Sequence, residues 1–535
     1  MMLDSMDSWG PQGQDDRRHG FSWRWMIWVL VGVAVLGIFN GGTHGASTAK
    51  NAVAIGMLMI IAMFGLPASV QRWLLSPFRR APKTKQTTPV DPLQAARDGC
   101  WRAGGGVYLG LAGSGQPRFA RGERAVLLLG PPRSGKTSAV IIPAVLSHTG
   151  PVVSTSTKPD VFRATRLARA VAGRLWVFDP TGSTAESPGA SELRWSPVRG
   201  SMSWDGALLI ARAMTANIGV GTTDRSHWAS RAQALLAPML HGAAIHERDM
   251  ETVVNWVMRH DLDQTGVLLE DQRCSRLAFS SLLGLFHTEE RERSSIFSAA
   301  ADALQAYTGE HALAATRDPN FDPEEFVRSH DTVYIHAPAE AQSAAAPIVC
   351  GLLAEIRRAT YQAHAQGQVA GRVLFALDEV ANIAPLEELP QVASEGGGQG
   401  LLLLAALQDL SQARQRWGTQ ADGFLTLFGT KLILPDVADT RTLETISTML
   451  GEYDRQVVSR TRPQTGLPEL LSSSPTPSRT ATYSTHRTRV LSPGEVANIP
   501  AGRGLHLDGV RWELVTLTPA HTREPWRTLT AISAS

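Results

Sequence analysis

Residues Gly130 to Thr137 read GPPRSGKT and are followed by Ser138. Two glycines, a lysine and a hydroxyl at this spacing suit a polyphosphate. Gly130 and Gly135 let main-chain N–H groups turn inward without a Cβ clash, so Gly130, Pro131, Pro132, Arg133, Ser134 and Gly135 can wrap phosphates. Lys136 can reach the β- and γ-phosphates of ATP, and the Thr137 hydroxyl can ligate Mg²⁺; Ser138 completes the expected binding set. The apolar run AVLLL precedes this loop and a helical pattern follows it. That is the strand–loop–helix setting the chemistry requires.

A second signal is RVLFALDE, residues 372–379, an apolar run ending in two acids. It places Asp378 at the carboxyl end of a buried strand, where open α/β sheets bind ligands. Asp378 would hold Mg²⁺ through water and Glu379 would polarise the attacking water. Acids capping a helix N-terminus give the same pattern, and pairing with the phosphate loop favours the catalytic reading. LLLLAALQDLSQ (401–412) ends a third strand with Gln408, placed either to sense the γ-phosphate or to cap the next helix. The expected catalytic set is therefore Lys136, Asp378, Glu379 and Gln408, with Thr137 and Asp378 as the Mg²⁺ residues. Lys158, Asp160 and Asp179 follow other strands and could line the same site or a solvated loop.

These residues need a scaffold, and the apolar runs supply one. AVLLLG (125–130), PVVSTS (151–156), RLWVFDP (174–180), TVYIHAP (332–338), RVLFALDE (372–379), LLLLAAL (401–407) and KLILPD (431–436) read as buried strands. Helical patterns separate most of them, which predicts an α/β fold with a mainly parallel sheet covered on both faces. Strand signals vanish between about Ser203 and Arg328, where Ala/Leu-rich helical stretches take over. This predicts an all-α domain (203–328) inserted between two halves of a nucleotide-binding domain, 98–202 and 329–519, with a C-terminal tail at 520–535. The insertion explains why Asp378 follows Lys136 by 378 − 136 = 242 positions. Residues 460–487, rich in Ser, Thr and Pro, read as a long surface loop. In RVLSPGE, Ser492, Pro493 and Glu495 spell a helix capping box.

Upstream, residues 21–40 and 51–70 are apolar stretches long enough to cross a ~30 Å hydrocarbon core, joined by ten residues. Tryptophans 23, 25, 28 and 73 flank them, and arginines and lysines cluster before and after the pair. This predicts a two-helix transmembrane hairpin after a cytoplasmic tail (1–20) and before a basic linker (71–97). The expected location is a multi-pass cell-membrane protein with both termini cytoplasmic. The composition adds limits. Charges nearly cancel at +2, which excludes a nucleic-acid coat, and 43% hydrophobic residues supply a large core. Three widely spaced cysteines (Cys100, Cys274, Cys350) exclude a disulfide framework or a cysteine-cluster metal site.

The ordered motifs GPPRSGKT, VFDPTGS…RWSP, FALDEVANI, ALQDLSQ and RVLSPGEVANIP, behind the N-terminal hairpin, resemble the type IV secretion coupling proteins, the TraG/TraD-type conjugation ATPases. The resemblance runs from the hairpin to about Pro519. It implies a RecA-like P-loop NTPase motor, membrane-anchored and homohexameric, with ATP and Mg²⁺ as cofactors. It also implies partners: single-stranded DNA bound to relaxase and relaxosome proteins, or protein effectors, and the components of a type IV secretion channel. By the same resemblance Lys136 and Thr137 hold nucleotide and metal, Asp378 and Glu379 form the Walker B pair, and Gln408 is the sensor. In one departure, Gln399 precedes Gly400 where many relatives have a basic residue, which leaves the trans-acting arginine finger unassigned; Lys431 and Arg441 are candidates, and a solvated surface role is the favoured reading of each. Two other readings are an FtsK-like double-stranded DNA translocase and a membrane ATPase for protein export. Only about 16 residues follow Pro519, too few for the DNA-reading module of the first, and one P-loop is fewer than the second usually carries. A nucleotide-gated scaffold with negligible turnover is opposed by the intact Lys136, Asp378 and Glu379.

Overall fold

The computed structural model describes residues 106–534 except 184–186, 217, 219–224 and 462–479, together with Asp98. All the described residues belong to one compact unit, Val90–Ser535. The predicted tail (1–20), hairpin (21–70) and linker (71–97) lie outside the described residues.

All seven apolar runs are strands. In chain order the strands are β1 (Tyr108–Leu111), β2 (Pro117–Phe119), β3 (Val126–Leu129), β4 (Val152–Ser156), β5 (Leu175–Phe178), β6 (Ser191–Glu192), β7 (Thr332–His336), β8 (Val373–Leu377), β9 (Leu401–Leu407), β10 (Thr430–Ile433), β11 (Glu452–Thr461), β12 (Thr480–Arg489), β13 (Arg503–Asp508) and β14 (Arg511–Thr516). Twelve of them form one sheet, ordered β2-β1-β14-β13-β10-β3-β9-β8-β4-β7-β5-β6. The run from β10 to β6 is parallel throughout, and β13, β14, β1 and β2 extend it antiparallel at one edge.

Side-chain alternation shows why the central strands are apolar at every position. Leu127, Leu129, Phe375, Leu401 and Leu403 enter the core on one face. Val126, Leu128, Leu374, Leu402 and Leu404 enter the core on the other. A parallel sheet covered on both sides has no solvent face to which polar residues could alternate.

Helices α1 (Ile142–Ser147) and α2 (Asp160–Ala170) cover one face. Between β6 and β7 the elements among the described residues are helices: α3 (Trp204–Thr215), α4 (Arg225–Ile245), α5 (Met250–Met258), α6 (Asp263–Leu269), α7 (Arg276–Phe286), α8 (Glu290–Leu304), α9 (Glu310–Ala314) and α10 (Pro323–Val327), besides short 3₁₀ turns. Their starts carry the expected side-chain caps: Ser203 accepts from the N–H of Gly206, Asp249 from Thr252 and Ser275 from Leu277. The remaining helices are α11 (Gln342–Ala365), α12 (Val380–Ile383), α13 (Leu389–Glu395), α14 (Leu410–Trp417), α15 (Phe424–Leu427), α16 (Thr440–Leu450), α17 (Pro493–Ala497) and α18 (Trp526–Ala534). The predicted capping box opens α17: Ser492 and Glu495 exchange both hydrogen bonds.

Two expectations need correction. The multi-pass membrane location is overturned, because no helix among the described residues is long and apolar enough to cross a membrane. The longest, α11, has the length, but it carries Glu355, Arg357 and Arg358 and packs within the core. Second, the ends of the predicted 460–487 loop are strands. β11 and β12 pair antiparallel over ten rungs, from Glu452↔Arg489 to Thr461↔Thr480. Serines and threonines read as polar filler in a loop, yet β-branched threonine is also what a solvated ribbon uses.

Candidate functional site

The loop from Gly130 to Gly135 leaves the carboxyl end of β3, and a helical stretch starts at Lys136. Backbone geometry explains the glycines. Gly135 has φ +93°, which L side chains rarely adopt. A Cβ at Gly130 would lie 2.6 Å from the Ser134 Oγ and 2.9 Å from the Leu434 Cβ. Arg133 also takes a positive φ, +66°, to complete the turn. The wide first stretch of helix, Lys136–Ile141, then passes into α1.

Lys136 is only 6% exposed. Its Nζ donates to the Gly130 carbonyl at 2.6 Å and to that of Pro131 at 3.3 Å, and it lies 3.7 Å from Glu379 Oε1. The lysine is thus folded into its own loop, with its charge at the centre of the turn. The Ser134 hydroxyl is buried and has no hydrogen-bond partner. An orphaned hydroxyl and an ammonium in one turn are groups that an anion could satisfy, which makes the loop a candidate cradle.

The two acids come from β8. Asp378 follows the strand's last residue, and its Oδ2 accepts from Thr137 Oγ1 at 2.7 Å. Burial pushes the Asp378 carboxyl above the usual carboxylate range. The Glu379 charge adds to that shift, while the Thr137 bond and Lys136 oppose it. Thr155, on neighbouring β4, donates its hydroxyl to the Asp378 carbonyl at 2.9 Å and so fixes the strand end. Glu379 adopts a left-handed φ of +49°. For a non-glycine residue this is a strained turn, and here it brings the carboxylate toward Lys136. Thr155 was not singled out from sequence; the signal was the polar end of an otherwise apolar run, VVSTS.

Strand β9 lies between β3 and β8, and the Gly130 N–H donates to the Leu407 carbonyl at 3.1 Å. Gln408 therefore adjoins the opening of the phosphate loop. The cap of α14 is Asp409, which accepts from the N–H groups of Ser411 and Gln412. Gln408 is thus not the cap of that helix, which removes one of its two sequence readings.

Other candidates fall elsewhere. Lys158 and Asp160 are exposed beyond β4. Asp179 follows β5, three strands from β8 and so roughly 14 Å away, and accepts from Thr181 in its own turn. Lys431 pairs in register with Leu127, toward the far end of β3 from Gly130. It is 3% exposed beside Asp508, so it is not presented to another subunit. Arg441 is exposed and lies 3.5 Å from Asp422.

A glycine-rich loop, a buried lysine, a hydroxyl–carboxylate pair and an intervening strand end meet at the carboxyl edge of a mainly parallel α/β sheet. Residues 76–505 match the family described as Type IV secretory system Conjugative DNA transfer, and the chain belongs to it: it is a type IV coupling protein. Among solved structures it is similar to the unbound monoclinic form of the bacterial conjugative coupling protein TrwBdeltaN70. The TM-score is 0.57 at 20% identity, over 76% of this chain and 88% of that one. Plasmid coupling protein TrwB with the non-hydrolysable ATP analogue ADPNP gives 0.56 at 19% identity, over 77% and 89% of the two chains. The same protein with ADP and Mg²⁺ gives 0.56 at 19%, over 79% and 91%. At this identity the likeness carries the fold. No curated protein matches the chain.

Proposed function

We propose that this chain is the ATP-driven motor of conjugative transfer, which takes relaxase-bound single-stranded DNA and delivers it to a type IV secretion channel. The observation that carries the proposal is the Thr137–Asp378 contact beside Lys136. ATP fits the cradle: Gly130 to Gly135 would wrap the phosphates, with Ser138 beside them, and the Ser134 hydroxyl and Lys136 would gain anionic partners. Mg²⁺ fits the hard-oxygen pair of Thr137 and Asp378, the carboxylate acting through water. When bound, the ion screens the charge that builds on the phosphates during cleavage. Glu379 accepts a proton from the attacking water, and Gln408 orients that water against the γ-phosphate. Residues 98–202 and 329–519 make one nucleotide-binding domain, and 203–328 is a helical insertion that meets the substrate. The working form is a homohexamer, in which Arg441 is exposed enough to reach a neighbour's nucleotide.

The test is ATP hydrolysis by the purified full chain with and without Mg²⁺, beside Lys136→Ala. Metal-dependent turnover that falls about 100-fold or more in the variant is expected, with unchanged circular dichroism. Equal turnover in the two proteins refutes the assignment.

A further inference from the structure

Strands β11 and β12 form a sheet of their own, about 33 Å long, with no third strand beside them among the described residues. An isolated two-stranded ribbon is marginal in water. This one also exposes apolar side chains on both faces: Tyr453 (37%) and Val457 (40%) on one, Val458 (44%) and Tyr483 (72%) on the other.

Its two faces differ in charge. Alternation puts Tyr453, Arg455 and Val457 on the same face as Ser484, His486 and Thr488 of the opposite strand, with Arg455 directly across from His486. No carboxylate stands among these six. The reverse face holds Glu452 and Asp454, set across from Arg489 and Arg487. Arg455 is exposed and makes no ion pair among the described residues, and the His486 ring contacts the neutral Ser484 hydroxyl at 3.0 Å.

The base of the ribbon is clamped. Arg489 holds both carboxylate oxygens of Glu444 on α16, at 2.7 and 2.9 Å. At the start of α16, Thr442 Oγ1 accepts from the N–H of Leu410, two residues after Gln408, at 3.1 Å. One helix therefore joins the ribbon to the end of β9.

We propose that this ribbon is an arm that grips single-stranded nucleic acid with its Tyr453–Arg455–His486 face, and that α16 couples it to the Gln408 turn. The coupling half rests on the functional reading above. Single-strand binding needs cations along the backbone and rings for bases, and an acid-free face avoids repelling phosphate. Hydroxyls at Ser484 and Thr488 add donors to phosphate oxygens. A protein partner would have to bring its own carboxylate to Arg455.

The probe is a labelled oligothymidylate bound by the full chain across a salt series. Arg455→Glu combined with His486→Ala weakens binding about tenfold or more and reduces the slope of log affinity against log salt by about 0.7 for the lost arginine contact. Tyr453→Ala weakens binding about fivefold or more. Turnover without DNA is unchanged in both variants. Unchanged affinity and slope overturn the arm. So does loss of self-association with DNA affinity intact, which makes the ribbon a contact between copies of the chain. Glu444→Ala keeps the affinity but removes the effect of the oligonucleotide on ATP turnover; a response equal to that of the parent, or a parent indifferent to DNA, overturns the coupling. A parent that hydrolyses no ATP refutes the motor reading, and the affinity series still decides the arm.

Discussion

Thr137 and Asp378 stand 241 positions apart in sequence and are joined by one hydrogen bond of 2.7 Å. The bond latches the start of the phosphate-loop helix to the end of β8, and the donating hydroxyl keeps lone pairs that could ligate an ion.

Replacing Asp378 by Asn tests the latch. Burial raises the pKa of this carboxyl, so the folded state holds its proton more tightly than the unfolded chain. The contribution to stability is then full below the unfolded value and is lost as pH rises through the folded one. Asp378→Asn should therefore melt higher than the parent at neutral pH without ligand, and the gap should close toward pH 4. Mg²⁺–nucleotide should raise the melting temperature of the parent more than that of the variant. A variant that melts lower at pH 7, or gains as much from the ligand, contradicts this account.

Glu379→Gln separates binding from cleavage. The strained φ of +49° and the 3.7 Å approach to Lys136 place this carboxylate at the loop without making it part of the cradle. Nucleotide affinity should stay within about threefold while turnover drops about 100-fold or more, as for loss of a general base. A parallel loss of affinity would make Glu379 a binding residue instead.

Much of this site was legible because it is local. GPPRSGKT, LDE and LQD each announce a strand end, and each lies where its run of apolar residues stops. The strand order was not legible, since neither β3 nor β8 says that β9 comes between them. Nor was the antiparallel edge: β1 (YLGL) contains a glycine, β2 (PRF) is three residues long, and β14 (RWELVT) alternates polar with apolar. Those patterns resemble loops until their partners are known. Residues 452–461 and 480–489 failed for a related reason: their pairing buries no core, so no apolar period marks it. The membrane expectation rested on residues 21–70, which lie outside the described residues, and no described helix supports it.

Gln408 and Asp409 are adjacent, and of the two it is Asp409 that caps α14. Asp409→Ala removes the α14 cap and should cost about 1 kcal/mol in urea unfolding. Gln408→Ala removes no cap and should leave stability within about 0.5 kcal/mol while slowing ATP turnover about tenfold or more. Exchanged phenotypes would return Gln408 to a structural role.

His148 sets an acid limit on stability. It lies just past α1, is 3% exposed, and its Nε2 contacts the Arg372 carbonyl at 2.7 Å. Its own carbonyl accepts from the buried guanidinium of Arg169 at 2.6 Å. Burial, helped by the Arg169 charge and opposed by the Arg372 contact, lowers its pKa to about 3. The unfolded value is about 6.5, so between those limits the unfolded chain binds a proton that the folded one refuses. Stability is complete above the unfolded value and is lost as pH falls toward the folded one, by up to about 5 kcal/mol over the whole interval. In urea unfolding from pH 7 to pH 4.5, His148→Gln should lose stability less steeply than the parent, by up to about 1.4 kcal/mol per pH unit. The glutamine amide can still donate to the Arg372 carbonyl, so the two proteins should converge near pH 7. ATP turnover should not change, because Arg372 opens the strand that Asp378 ends. Parallel acid limbs would mean that His148 accepts its proton in the folded protein.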